Sequence, residues 1–165
     1  MNDFYPPAWV RPAAVQTVLA SLHLRAKGTG ALLDGSCSHI LHTSDGVRLL
    51  GVHTPHPAPI ARAVLIHGWE GSSDSTYIRT TSRALHRAGC DIFRLNLRDH
   101  GPSHHLNEGI FLAVYLDEAV DAAAQAAAQT PHLPVFLCGF SLGGNFVLRI
   151  AARWAGAPPA NVKRV

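Results

Sequence analysis

Charged residues make up only 15% of this 165-residue chain, and no stretch of it carries a basic run. Its basic residues are mostly arginines placed singly, so the positive stripe that grips a phosphate backbone is missing and nucleic acid is not an expected partner. Cysteine is sparse too. Cys37, Cys90 and Cys138 are far apart, odd in number and form no CxxC pair. That spacing argues against a disulfide framework or a thiolate metal site. Free thiols fit a reducing, cytoplasmic setting. Long apolar runs are missing as well. No run reaches the roughly eighteen residues that suggest a membrane span, and the opening MNDFYPPAWVRP lacks the apolar core of a signal peptide. Peripheral contact with a membrane stays open. There is no internal repeat.

What is present is enough apolar material for a core, 47% of the residues, and a length that suits one domain. The first 36 residues are proline-rich and read as an irregular extension. From residue 37 the pattern becomes regular. SHILHTSDGVRLLGVH reads as two strands joined at Asp45-Gly46, a strong hairpin signal. ARAVLIHG follows, with a continuous apolar run from Ala63 to Ile66 that suits a strand buried on both faces. TYIRTTSRALHRAG then reads as a helix with Ile78, Thr81, Leu85 and Ala88 on one face and Gly89 at its end. The cycle repeats with a strand from Asp91 to Leu97 and an alanine-rich amphipathic surface helix carrying Leu116, Val120 and Ala124 at helical spacing. Pro131 and Pro134 close that helix, and Val135 to Phe140 forms the next strand. A last helix after Ser141 carries Phe146, Ile150 and Trp154 at spacings of four. A hairpin followed by alternating strands and helices predicts an α/β fold with a mostly parallel sheet flanked by helices. In such sheets the functional loops leave the carboxyl ends of the strands. Here those loops begin at His67, Arg98 and Ser141.

The loop at Ser141 carries Gly139-Phe140-Ser141-Leu142-Gly143. A serine hydroxyl is a weak nucleophile unless it is exposed, placed beside a base and faced by hydrogen-bond donors. A sharp turn from strand to helix supplies exposure, and glycines on both sides leave room for the turn. G-x-S-x-G alone also occurs by chance as a glycine-rich turn with a solvated serine. Here an apolar strand precedes it and a helix follows, which favours Ser141 as the catalytic nucleophile, with Gly139 and Gly143 as structural turn residues. The loop His67-Gly68-Trp69-Glu70-Gly71 lies at the same sheet edge. Backbone N–H groups of Trp69 and Leu142 would form an oxyanion hole, with Gly68 allowing close approach. His67 precedes the serine in the chain, so it reads as a structural hydrogen-bonder rather than a base. Arg98-Asp99-His100-Gly101-Pro102-Ser103-His104-His105 invites a metal reading, but Gly101-Pro102 breaks any helical spacing and no second cluster supplies a further ligand. A hydrogen-bonded rim is the expectation there.

These pieces together resemble the YheT-like branch of the α/β-hydrolases, which includes mammalian ABHD-type proteins. Phe4, Pro7, Trp9 and Gln16-Thr17 are similar to that branch's opening signature, although PAAVQT departs where a histidine or leucine usually precedes Gln-Thr. HGWEGSSDSTY resembles its HG-x-EGSS loop. NLRDHGPSHHLNEGIF resembles its next loop, with Asn107 and Phe111 in place, and GFSLGGN resembles its elbow. The resemblance implies an α/β-hydrolase fold and a serine hydrolase acting on carboxylic esters, often lipid-like acyl esters, without a cofactor. Residues 1–165 would form the N-terminal part of one such domain, truncated after the nucleophile helix.

After Ser141 the sequence contains no Asp, Glu or His. In this fold the acid and the histidine of the triad follow the serine. The chain therefore reads as a fragment whose isolated activity is doubtful, with a tail that begins a new strand. Two rival readings stay open. One is another chemistry on the same elbow, such as peptidase, thioesterase or acyl transfer. The other is a binding protein that kept the elbow and lost the triad.

Overall fold

The computed structural model describes residues 5–21, 30 and 35–164. Strands β1 (Cys37–His42) and β2 (Arg48–Thr54) form the expected antiparallel hairpin. Gly46 takes φ 84° in its turn, a conformation that a side chain would strain. The chain then alternates: β3 (Ala61–Ile66), α2 (Thr76–Arg87), β4 (Cys90–Asn96), α3 (Leu116–Ala128), β5 (Val135–Gly139), α4 (Leu142–Trp154) and β6 (Val162–Arg164). The six strands make one sheet in the order β1-β2-β4-β3-β5-β6. β4, β3, β5 and β6 run parallel, and β2 joins β4 antiparallel.

The side-chain alternation of β3 explains the layers. Val64 and Ile66 face one side, and Ala63 and Leu65 face the other. All of β3 is buried, as the continuous apolar run predicted. On the first side lie α3 and α4. Phe146, Ile150 and Trp154 of α4 are buried there, at the spacing read from the sequence. On the other side α2 seats Ile78 against Ala63, Leu65 and Ile92.

Several expectations need correction. The buried face of α2 runs through Ile78 and Ser82, while Ala88 is exposed. Its amphipathic stripe is narrower than the apolar positions suggested, because Leu85 is only half-covered at the end of the helix. The buried stripe of α3 is Ala119, Ala122, Ala123, Ala126 and Ala127 rather than Leu116, Val120 and Ala124. Small side chains let this helix lie close on the sheet, and the larger residues pack at its margins. The first 36 residues are not wholly irregular: α1 (Ala13–Ser21) follows a short 3-10 turn at Ala8–Val10. Phe4 and most of residues 22–34 lie outside the described residues. The tail does begin a new strand: Val162 and Arg164 of β6 pair with Val135 and Phe136 of β5.

Candidate active site

β5 ends at Gly139, and the chain reverses through Phe140 and Ser141 into α4. Ser141 has φ 51° and ψ −115° and is exposed. A non-glycine residue held there costs on the order of 1–3 kcal/mol, so the surroundings must enforce it. They do so through backbone bonds. Phe140 N–H donates to the Ile66 carbonyl at 3.1 Å, Gly143 N–H to the Phe140 carbonyl at 2.8 Å, and Asn145 N–H to the Ser141 carbonyl at 3.0 Å. The two glycines have no room for side chains. A Cβ on Gly139 would collide with the Gly143 backbone, and one on Gly143 with the carbonyls of Ile66 and His67.

The loop after β3 meets this turn directly. A Cβ on Gly68 would stand 3.3 Å from Ser141 Cβ and 3.2 Å from the Phe140 carbonyl oxygen. Gly68 N–H donates to the Tyr77 hydroxyl at 2.9 Å, so that donor is occupied and Trp69 carries the next amide along the loop. Tyr77 also packs on Phe140, with ring centroids 5.0 Å apart. His67 is fully buried. Its Nε2 accepts from Leu97 N–H at 3.1 Å, which leaves Nδ1–H to donate to the Gly68 carbonyl at 2.7 Å. Burial lowers its pKa to about 4, opposed by the Gly68 carbonyl and aided by nearby His100. Neither ring nitrogen is free to take a proton from serine.

The third loop completes one wall. The His100 ring lies 4.8 Å from that of His67, tilted by 40°, and meets the Phe111 ring edge-on at 4.8 Å. Trp69, 61% exposed, lies edge-on to Phe111 at 5.9 Å. Trp69, Glu70, Asp99, His100, Ile110 and Phe111 line much of a cavity of about 350 Å³ here. Arg98 anchors the loop to α3 through paired bonds to Glu118, at 2.6 and 3.2 Å. Burial pushes the Glu118 carboxyl up, while Arg98 pulls it back. His104 and Asp99 pair at the surface at 2.7 Å, and this bond holds Asp99 below the usual carboxylate range. His100 is turned into the aromatic wall and His104 outward, so these histidines do not converge.

The described non-glycine residues with positive φ are Glu70, Asp99 and Ser141, one in each loop. Ser141, Gly68, Gly139 and Gly143 are thus brought together, with Leu142 and Trp69 adjacent to them in the chain. Sequence reasoning gave no role to Tyr77, nine positions beyond Gly68, or to buried Asn96, whose side chain accepts from Ser73 N–H at 2.8 Å and donates to the Leu50 carbonyl at 3.2 Å. Only folding makes those partners neighbours.

Residues 64–165, more than half of the chain, match the family described as the alpha/beta hydrolase fold. The chain belongs to the α/β-hydrolase fold family. No curated protein matches it in sequence. Among solved structures, this hydrolase-fold chain is similar to an esterase from Pyrococcus furiosus, with a TM-score of 0.62, 18% identity, and coverage of 73% of this chain and 48% of that one. It is also similar to an α/β serine hydrolase without a lid from Xanthomonas campestris, with a TM-score of 0.58, 26% identity, and coverage of 73% and 57%. A bacterial brefeldin A esterase gives 0.61 and 17% identity, with coverage of 89% and 46%. The chain spans about half the length of these structures. Among the described residues, no helix of this hydrolase-fold chain is long and apolar enough to cross a membrane.

Proposed function

We propose that this chain is the nucleophile-bearing part of a serine hydrolase of the YheT-like branch, acting on carboxylic esters with lipid-like acyl groups. The observation that carries this reading is Ser141 itself: exposed, held at φ 51°, at a strand-to-helix turn packed against Gly68. In the reaction, Ser141 Oγ attacks the ester carbonyl carbon. The C–O bond to the alcohol breaks and an acyl-enzyme forms. The serine proton passes to a base and then to the leaving alcohol. The amides of Trp69 and Leu142 would receive the oxyanion. The cavity lined by Trp69, His100, Ile110 and Phe111, on the loops after β3 and β4, offers an apolar surface for an acyl group.

The base is not His67, whose nitrogens are both engaged. The reading assigns the base to no described residue. Two measurements test it. In protein expressed from the full gene, a fluorophosphonate should label Ser141 and fail to label Ser141→Ala; persistent labelling of that variant sinks the assignment. Residues 1–165 alone, assayed on a short activated ester, should show no sustained turnover. Sustained turnover abolished by Ser141→Ala would mean that a base within these residues serves the serine.

A further inference from the structure

We propose that Cys37, His39 and His53 form a binding site for a zinc-class divalent metal ion on the β1–β2 hairpin. Strand geometry brings them together. Cys37 and His39 are two apart on β1 and so share a face, and the register pairs Cys37 directly with His53 of β2. Gly51 sits opposite His39, where a Cβ would collide with the Phe93 ring. His39 instead lies over that ring with centroids 6.0 Å apart, and 5.7 Å from the His53 ring. Among the described residues this is the group of metal-ligating side chains that converges, with one ligand atom from each lying within 4.8 Å of the others.

The spacing suits a tetrahedral ion. Zinc bonds to sulfur at about 2.3 Å and to imidazole nitrogen at about 2.0–2.1 Å, which sets sulfur and nitrogen about 3.5 Å apart at a tetrahedral angle. Cys37 Sγ lies 3.3 Å from His39 Nε2 and 3.8 Å from His53 Nδ1. One thiolate and two imidazoles are donors that zinc accepts, with a fourth position left for water.

A carboxylate stands behind His53. Its Nε2 lies 2.9 Å from Asp91 Oδ1. Asp91 Oδ2 is held by buried Arg62, from Nε at 2.8 Å and from Nη2 at 2.6 Å. Arg62 also donates to the Ala126 carbonyl at 2.9 Å, which ties it to α3. Arg62 Nη2 also lies 3.1 Å from His53 Nε2; in the tautomer that gives Nε2–H to Asp91, Nδ1 keeps the lone pair that faces Cys37 at 3.8 Å. A carboxylate behind a ligating histidine fixes the ring and raises its basicity. Asp91 and Arg62 begin β4 and β3, whereas Ser141 follows the end of β5. The site is therefore at the opposite end of the sheet from the elbow and does not depend on the proposed ester chemistry. On binding, Cys37 releases its thiol proton to solvent and the ion clips β1 to β2.

The test is titration of the full 165-residue chain with Co2+, then displacement by Zn2+, under a non-thiol reductant. The expected result is one equivalent with a thiolate-to-cobalt charge-transfer band in the near ultraviolet. Cys37→Ser should lose that band, and Cys90→Ser should keep it. Cys37→Ser and His39→Ala should each weaken Zn2+ binding about tenfold or more, the scale on which a lost ligand or its support is felt. Cys37 is exposed, so its replacement should leave the far-ultraviolet dichroism unchanged. Failure to observe the thiolate band in the parent chain overturns the proposal. So does a band that survives Cys37→Ser, or equal Zn2+ affinity in the parent and both variants.

Discussion

At the carboxyl ends of the parallel strands, Glu70, Asp99 and Ser141 hold positive φ. At the amino ends, Arg62, Asp91 and His53 form a network whose charges are paired and hydrogen-bonded. The first region holds strained backbone and leaves Ser141 exposed. The second hides charge and satisfies it. Burial pushes the Asp91 carboxyl up, yet bonds from His53 and Arg62 outweigh it and leave it below its ordinary value. The contrast predicts that substitutions at the carboxyl end separate activity from stability, while those at the amino end act through stability.

The largest effect should be Ser141→Ala. In protein from the full gene, ester turnover should fall roughly 10³-fold or more. Stability should change by no more than about 0.5 kcal/mol, since an exposed hydroxyl is removed. Parallel denaturant melts and ester assays check both halves, and a large loss of stability would contradict the separation.

Gly143→Val tests where that separation ends. Its side chain would enter the carbonyls of Ile66 and His67, which are backbone and cannot swing away. A loss above about 4 kcal/mol, or failure to fold, is expected. A variant that melts like the parent would show that the elbow is not packed on β3 as described. At the other end, Asp91→Ala leaves Arg62 buried without its carboxylate. The expected cost is about 3–5 kcal/mol. If urea melts gave a change below about 1 kcal/mol, water would have to reach Arg62 freely.

His67 offers a titration between these extremes. It is buried neutral with its pKa lowered from 6.5 to about 4, so the folded state resists protonation more than the unfolded chain does. Its contribution is fully present above pH 6.5 and is lost as pH falls through the window from 6.5 to 4. The full loss is roughly 3 kcal/mol from a shift of this size. The ring protons of His67 followed by NMR should titrate near the lower value; titration near 6.5 would mean that the ring is not enclosed.

The elements were legible because each carries its own period. β3 reads as an apolar run, α4 shows Phe146, Ile150 and Trp154 at steps of four, and Asp45-Gly46 marks a turn. The sequence motif also located the elbow, since its glycines are needed by backbone collisions that any such turn creates. What could not be read was long-range. Arg62 inside an apolar strand is explained by Asp91, 29 positions away. The buried alanine face of α3 depends on the sheet beneath it. The grouping of Cys37 with His39 and His53 has no signature in cysteine spacing, because these residues meet along and across a hairpin. Positive φ at Glu70 is a property of the folded loop with no local signal in residue type, whereas Asp99 is of a type that tolerates it.

Tyr77 gives the smallest and most pointed test of the same contrast. Its hydroxyl accepts the Gly68 N–H at 2.9 Å, and its ring rests on Phe140, so one side chain bridges the two loops that flank Ser141. Tyr77→Phe keeps the ring and deletes the acceptor. The Gly68 amide is buried, and an unpaired buried amide costs about 1–3 kcal/mol. The space left by the hydroxyl admits adjustment of the loop, so the stability loss should lie near the lower figure. The effect on chemistry should be larger in proportion, because the next amide along the loop belongs to Trp69. If that amide faces the developing oxyanion, slackening the peptide before it should lower kcat more than it changes KM. Measuring both constants beside the melt separates the cases. A protein that loses about 1 kcal/mol and keeps its kcat would make Tyr77 a packing residue and remove the loop at Gly68 from the catalytic geometry.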